Sequence, residues 1–335
     1  MGRFANGFGP HAPDVTYVEH GFEEQLFDTG EVQLNHVVAG DPSLPALLLI
    51  PGQTESWWGY EAALPLLAEH FHAHAVDLRG QGRSTRTPGR YTLDNMGNDL
   101  VRFATGVIGR PTVVAGLSSG GVLAAWLSAY APPGLVTAAY YEDPPLFSSE
   151  VDPAIGPGIR HSIGPIFALM SKYLGDRWSI GDWDAMVAAA PDELPSWLRG
   201  IAGVFGLGAE PPQTLKEYDP EWARAFWTGS VAASCDHSRM LRSVKVPVLL
   251  THHFRTIDDE TGALLGAASD RQVEHVRRLV TDAGQPFELV SLPTTGHTLH
   301  GQDPQLYVDT LTAWHSALSL GASSSGRGRS IRRRR

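Results

Sequence analysis

The sequence contains a single cysteine, Cys235, in 335 residues, so no disulfide can form within the chain. Lysine is almost absent (Lys172, Lys216 and Lys245), and 36 acidic residues against 26 basic ones give a formal charge of −10. That balance argues against a nucleic-acid surface. No run of about 18 apolar residues exists, which excludes a hydrophobic membrane-spanning helix. Residues 1–16 are polar and rich in Gly and Pro, without the apolar segment of a secretion signal. No Cys/His spacing suits zinc. His72 and His74 share one strand face while Asp77 points to the other, so they make a poor metal site. The expectation is a cytoplasmic protein that needs no metal, nucleotide or flavin and binds neither nucleic acid nor membrane.

Apolar residues make up 42% of the chain, with nine Trp, nine Tyr and twelve Phe. That is enough for one large core and an accessory layer. Short apolar runs alternate with helical patterns. Strands are predicted at Val32–Ala39, Ala46–Ile50, Ala73–Leu78, Thr112–Leu117, Leu135–Tyr141, Val246–His252 and Phe287–Leu292. Helices are predicted at Thr92–Ile108, Val122–Tyr130, around Asp270–Ala283 and at Pro304–Leu318. This alternation implies an α/β fold, a mostly parallel central sheet with helices on both faces. Such sheets bind ligands at the carboxyl ends of their strands. Residues 144–240 differ in texture and show no clear strand. They read as a helical cap inserted between core segments 1–143 and 241–320; a helical module with another role is the alternative. Residues 321–335 are Ser/Gly-rich and end in four arginines, and read as a disordered, solvated basic tail.

The most informative stretch is Val113-Val114-Ala115-Gly116-Leu117-Ser118-Ser119-Gly120-Gly121. It reads as a buried strand ending in a Gly-x-Ser-x-Gly turn that opens a helix. A serine is a poor nucleophile at neutral pH and needs exposure, a neighbouring base and donors for the oxyanion it creates. The turn supplies the exposure and one donor, the backbone N–H of Ser119. A second oxyanion donor is expected from the loop after an early strand, where Gly52 permits close approach and Gln53 can aim its N–H. Trp57 and Trp58 follow and are placed to wall a pocket. The base is expected after a late strand, at His297, with His300 as competitor. The acid that orients the base has two candidate places: Glu142, at the end of Leu135–Tyr141, and Asp258 or Asp259, after Val246–His252. The segment Asp77-Leu78-Arg79-Gly80-Gln81-Gly82-Arg83-Ser84 lacks the phosphate-loop pattern and reads as structural.

These residues resemble the α/β-hydrolase superfamily from about Val32 to Leu318, and Asp77–Ser84 is close to its Asp-x-Arg-Gly-x-Gly-x-Ser loop. Within it, they resemble the zearalenone lactone hydrolases, especially a bacterial form. The stretches that carry this resemblance are Gln53-Thr54 with Ser56-Trp57-Trp58, Ser118-Ser119-Gly120-Gly121, Trp178-Ser179-Ile180-Gly181-Asp182-Trp183, and Lys216-Glu217-Tyr218-Asp219-Pro220-Glu221-Trp222. The resemblance implies Ser118 as nucleophile and His297 as base. It places the acid at Glu142, 24 residues after Ser118, ahead of Asp258, and the oxyanion hole at the amides of Gln53 and Ser119. It maps a substrate-contacting tryptophan onto Trp222, and also points to a homodimer. One departure is Gly52, where the bacterial relatives often carry a larger residue; this bears on substrate preference.

The resulting expectation is a serine hydrolase that opens a macrocyclic resorcylic acid lactone through an acyl-enzyme, its small-molecule substrate apolar. In the family the opened zearalenone product later loses carbon dioxide. Trp178, Trp183, Trp222, Phe226 and Trp227 suit a flat, greasy ligand. A general carboxylesterase or C–C hydrolase is the first rival reading, and a non-catalytic ligand receptor the second. Dehalogenases and epoxide hydrolases of this fold need an aspartate in the nucleophile turn, which Ser118 replaces.

Overall fold

The computed structural model describes residues 18–174, 182–199 and 211–326. Trp178 and residues 327–335 of the expected tail lie outside the described residues, as do residues 1–16.

The continuous apolar runs become the central strands. An eight-stranded sheet is built from β1 (Gln25–Asp28), β2 (Gln33–Ala39), β3 (Ala46–Ile50), β4 (His72–Val76), β5 (Thr112–Leu117), β6 (Val136–Glu142), β7 (Val248–His252) and β10 (Phe287–Ser291), in the order β1-β2-β4-β3-β5-β6-β7-β10. β1 and β2 pair antiparallel, as do β2 and β4, and every other pairing is parallel. Strands β3 and β5 are buried along their whole length, which is why they read as unbroken apolar runs rather than alternating ones. Along β3, Leu48 and Ile50 pack into the core on one face, and Leu47 and Leu49 into that on the other. A short hairpin, β8 (Arg255–Ile257) with β9 (Leu264–Gly266), stands apart from the sheet.

The helices are α1 (Leu93–Phe103), α2 (Ser119–Tyr130), α3 (Gly164–Tyr173), α4 (Trp183–Glu193), α5 (Glu221–Thr228), α6 (Asp270–Asp282), α7 (Leu299–Gln302) and α8 (Pro304–Gly326), with shorter turns between them. Thr92 caps α1 by accepting from the Asn95 N–H at 3.2 Å, and Ser269 with Gln272 forms a capping box on α6. The last helix continues to Gly326, into the stretch that reads from composition as a tail. Among the described residues, no helix is long and apolar enough to cross a membrane.

The helices in the described parts of residues 144–240 share one apolar core with a face of the sheet. Phe167 of α3 and Trp222 and Phe226 of α5 belong to the same buried cluster as Val114 and Leu123. The stretch 217–222 clamps this layer to the sheet's edge loops. The Asp219 N–H donates to the Gly80 carbonyl at 2.8 Å, Arg86 Nε and the Tyr91 hydroxyl donate to the Asp219 carboxylate, and Trp222 Nε1 donates to the Arg79 carbonyl at 2.7 Å.

Candidate active site

The strand-to-helix turn at Ser118 is forced by its neighbours. A Cβ on Gly116 would lie 2.2 Å from the Gly120 carbonyl oxygen, and one on Gly120 would lie 2.3 Å from that of Ile50. Only glycine lets α2 start this close to β5 and β3. The turn leaves Ser118 at φ 53°, ψ −120°, strained for a residue with a side chain. Among the described residues, four non-glycine residues have positive φ: Thr54, Ser118, Asp143 and Phe147. The first three sit at the carboxyl ends of β3, β5 and β6, where this site lies. Ser118 is half-buried, and its N–H donates to the Glu142 carbonyl at 2.8 Å, joining the ends of β5 and β6. No hydrogen bond links Ser118 Oγ to His297; such bonds often tighten only with substrate bound.

His297 follows β10, as expected, but its carboxylate partner is not Glu142. Its Nδ1 lies 2.7 Å from Asp143 Oδ2. An ionised carboxylate can only accept, so Nδ1 carries the proton and Nε2 is left as the basic nitrogen. Glu142 instead accepts from His300, by Nδ1–H at 2.8 Å and by the backbone N–H at 3.1 Å. The reason is the chain's turn at the strand end. Glu142 is the last residue of β6, and Asp143 at φ 40° turns the next carboxylate toward the β10 loop. His253, after β7, reinforces this arrangement. Its backbone N–H donates to Asp143 Oδ1 at 3.0 Å, and its Nδ1–H donates to the carbonyls of Gly296 and His297 at 2.9 and 3.1 Å.

The electrostatics follow from these contacts. Burial alone would raise the Asp143 carboxyl, but the hydrogen bond and charge of His297, with help from His253, hold it below the usual carboxylate range. Burial works against a charged His297, yet the Asp143 hydrogen bond and charge, joined by Glu55 and Glu142, raise it above an ordinary imidazole. The His297 side chain keeps 39% of its surface exposed, so water screens part of this attraction.

Asp258 does not join the site. It lies in the turn between β8 and β9, where its carboxylate accepts from the Thr261 N–H and hydroxyl at 2.9 and 2.6 Å. These local bonds hold its carboxyl below the usual range. Asp259 is in the same turn and exposed.

The expected oxyanion residues sit on either side of the nucleophile turn. Ser119 opens α2, and the N–H of a first helical residue has no acceptor within its own helix. Gly52 packs directly against the turn; a Cβ there would meet Leu117 at 3.2 Å and the Ser118 Cβ at 3.3 Å. Gln53 follows, its side-chain amide donating to the Tyr218 hydroxyl at 2.7 Å. The loop after β4 supports them. Gln81 Nε2 donates to the Gly52 carbonyl at 3.1 Å, and Asp77 accepts from the Trp57 N–H at 2.6 Å and the Arg83 N–H at 2.9 Å. Burial pushes the Asp77 carboxyl up to about 6. The structural reading of Asp77–Ser84 is therefore what the geometry supports.

Two expected substrate contacts are placed elsewhere. Trp222 is fully buried, its indole N–H on the Arg79 carbonyl and its ring between Tyr91 and Phe226. Trp183 is 5% exposed and part of the same core. A buried indole with a satisfied N–H is a packing element, so Trp222 ties the helical layer down, and Trp183 packs in the same core. Trp58 is half-buried; it stacks on His20 with ring centroids 5.2 Å apart and donates to Glu217 Oε2 at 3.2 Å. Trp222→Phe is accordingly expected to leave KM for an ester nearly unchanged. It should cost about 1–3 kcal/mol of stability, because the buried Arg79 carbonyl loses its donor. Thermal unfolding alongside steady-state kinetics checks this.

His72 and His74 do share a face, Nε2 of the second 3.1 Å from Nδ1 of the first. Burial, with the charge of His72 beside it, lowers His74 to about 3. Among the described residues, no group of three or more His, Cys, Asp or Glu could hold a metal ion.

A model of the Alpha/beta hydrolase family matches residues 47–310, most of the chain and all of the site. The chain belongs to the alpha/beta hydrolase family. Curated relatives cover shorter stretches. A fluoroacetate dehalogenase of Burkholderia sp is 42% identical over 69 residues, 21% of this chain and 22% of the relative. Bifunctional epoxide hydrolase 2 of Sus scrofa is 32% identical over 161 residues, 47% of this chain and 28% of the relative. The matches thus span less than a third of either relative. Solved structures align over nearly the whole fold. The enol-lactonase from Burkholderia xenovorans LB400 has a TM-score of 0.62 at 15% identity, covering 87% of this chain and 100% of that one. A putative aryl esterase from Burkholderia cenocepacia has a TM-score of 0.61 at 18% identity, covering 89% and 100%. At such identities the likeness is one of fold. This alpha/beta hydrolase therefore shares sequence with relatives of more than one hydrolytic chemistry, and its own residues must separate them.

Proposed function

We propose that this alpha/beta hydrolase cleaves carboxylic esters through a covalent Ser118 acyl-enzyme, with His297 as base and Asp143 as the acid that orients it. The observation that carries this reading is the strained Ser118 turn at the end of β5, beside the strand end that bears the Asp143–His297 pair. His297 Nε2 takes the Ser118 proton as Oγ attacks the ester carbonyl. The Gln53 and Ser119 amides hold the resulting oxyanion; loss of one such donor typically costs about 3–4 kcal/mol. Collapse expels the alkoxide, which takes its proton from His297. Water, deprotonated by His297, then attacks the acyl carbonyl and frees the acid and the serine. A lactone keeps both products on one molecule. Dehalogenase or epoxide chemistry is disfavoured because the turn presents a hydroxyl where those reactions need a carboxylate.

For the substrate, the motifs shared with zearalenone lactone hydrolases support a macrocyclic resorcylic lactone. The burial of Trp222 and Trp183 removes two aromatic contacts from that case and favours a broader aryl or alkyl esterase as the second reading. The enol-lactonase and putative aryl esterase of the same fold are compatible with either. Turnover of zearalenone, p-nitrophenyl acetate and a vinylogous diketone by the same preparation separates them. The lactone reading predicts that zearalenone has the highest kcat/KM and gives a ring-opened acid by mass spectrometry. Turnover of the p-nitrophenyl ester alone would favour the second. The homodimer expected from the resemblance and the absence of any cofactor requirement belong to the same proposal.

The pH dependence has a fixed sign. The base must be neutral to act, and His297 is raised by Asp143 and its neighbours, so the acid limb of kcat/KM should lie above the ordinary imidazole value of about 6.5. The lowered Asp143 pKa and the raised His297 pKa mean that their attraction stabilises the fold most in the window between them. This contribution is lost as pH falls through the folded-state pKa of Asp143 and fades again as pH rises through that of His297. In Asp143→Asn the limb of the residual activity should move to lower pH. A pH–rate profile of both proteins shows whether it does.

A further inference from the structure

A second imidazole lies behind the first and takes no part in the proposed proton transfers. His300, in α7, is fully buried. Both oxygens of the Glu142 carboxylate bind it, one at the ring Nδ1 and one at the backbone N–H. Tyr60 stacks on the ring with centroids 4.0 Å apart, and Tyr307 meets its edge at 5.7 Å. The far nitrogen, Nε2, is buried without a hydrogen bond. It faces Glu55, whose Oε2 lies 3.9 Å away. Glu55 in turn accepts from the Gly52 N–H by the same oxygen, at 3.3 Å, and its own N–H donates to the Gly52 carbonyl at 3.4 Å.

Glu55 therefore grips the residue before Gln53 on both its amide and its carbonyl. The end of β6 is connected to this loop as Glu142, His300, Glu55, Gly52. Burial raises the Glu55 carboxyl, while the His300 charge opposes that rise. Burial likewise disfavours charge on His300, but Glu142 and Glu55 together raise it. The imidazole between them holds both carboxylates: Glu142 and His300 are fully buried, and either left alone would be a costly buried charge, while Glu55 is half-buried.

We propose that Glu55 and His300 are positioning residues: with Glu142 they form a relay that fixes the Gly52–Gln53 loop, so that the Gln53 amide is aimed at the developing oxyanion. The proposal rests on the Ser118 acyl-enzyme reading. It accounts for Glu142 being engaged away from His297, and for Thr54 holding a strained backbone at φ 63° inside a loop pinned on both sides.

The test uses the full-length protein with p-nitrophenyl butyrate and the variants Glu55→Ala, Glu55→Gln, His300→Asn and Ser118→Ala. A trifluoromethyl ketone probes the oxyanion directly: Ser118 Oγ adds to its carbonyl, the proton passes to His297, and the former carbonyl oxygen becomes the bound anion. Glu55→Ala and His300→Asn should each lower kcat by roughly 10–100-fold, less than outright loss of an oxyanion donor, with KM within about threefold. Affinity for the trifluoromethyl ketone should fall by the same factor as kcat, while inhibition by a simple alkyl alcohol, which forms no oxyanion, stays constant. Glu55→Gln keeps an acceptor for the Gly52 N–H and should recover most of the activity. His300→Asn keeps a donor for Glu142 and serves as the second variant should Glu55→Ala fail to fold. The proposal is overturned if kcat is unchanged in both variants, or if it falls while ketone affinity holds. Activity retained by Ser118→Ala would instead remove the reading beneath it. An inactive Ser118→Ala with unaffected Glu55→Ala and His300→Asn defeats the relay alone.

Discussion

Ser118→Ala is expected to reduce kcat/KM for any ester substrate by roughly 10⁴-fold or more, with substrate binding little changed. The size follows from the serine's two roles. Its oxygen is the atom that bonds to the carbonyl carbon, and its hydroxyl proton is the one His297 removes; without it, only oxyanion stabilisation and substrate positioning remain. The fold should tolerate the change. Ser118 is half-buried, alanine keeps the Cβ already present in the turn, and the backbone N–H bond to the Glu142 carbonyl is untouched. Unaltered thermal unfolding beside a lost burst of p-nitrophenol is the predicted result. Undiminished turnover would show that another residue does the chemistry.

The second large effect separates two adjacent carboxylates. Asp143→Asn should lower kcat by roughly 10³–10⁴-fold. An asparagine in this place can present its amide N–H₂ to His297 Nδ1, which favours the wrong imidazole tautomer and removes the charge that stabilises the imidazolium. Glu142→Gln should cost activity far less, about a hundredfold at most, because Glu142 acts on His300 and the oxyanion loop rather than on His297. Its larger effect should be on stability, about 1–3 kcal/mol, since the glutamine carbonyl can satisfy only one of the two His300 donors well. Measuring kcat and melting temperature on both variants decides the matter. If Glu142→Gln is the inactive protein and Asp143→Asn is not, the pairing seen here is not the working one.

The nucleophile turn was legible because its constraints are local. A buried parallel strand needs an apolar run, and the sharp entry into α2 needs glycine at 116 and 120. Strands β3 and β5 begin and end where their apolar runs do. The acid was not legible, since two carboxylates stand side by side at the end of β6. One backbone turn, at Asp143, decides which of them faces His297 and which faces His300. A spacing of 24 residues from the serine carries no information about that turn. The Glu-Asp-Pro run could have raised Asp143 as a candidate, because a residue before proline is pushed out of helical geometry. Glu55 and His253 were missed for a related reason. They act through backbone amides of distant loops, and no sequence pattern marks such contacts. The β8–β9 hairpin escaped because three-residue strands are too short to show a period. Trp222 was placed on substrate because an aromatic in a cap looks alike whether it lines a pocket or plugs a core. Its bond to the Arg79 carbonyl, across 143 residues, is a fact of tertiary structure.

Trapping the acyl-enzyme tests the central claim most directly. Wild-type protein is mixed with excess p-nitrophenyl butyrate, acid-quenched within the first turnover, digested and mapped by mass spectrometry. The account predicts one butyryl group on the peptide containing Ser118, absent from Ser118→Ala and accumulating in a variant slow to deacylate. A butyryl group on another side chain during productive turnover, or oxygen from labelled water entering a protein carboxylate instead of going directly to the product acid, would contradict it.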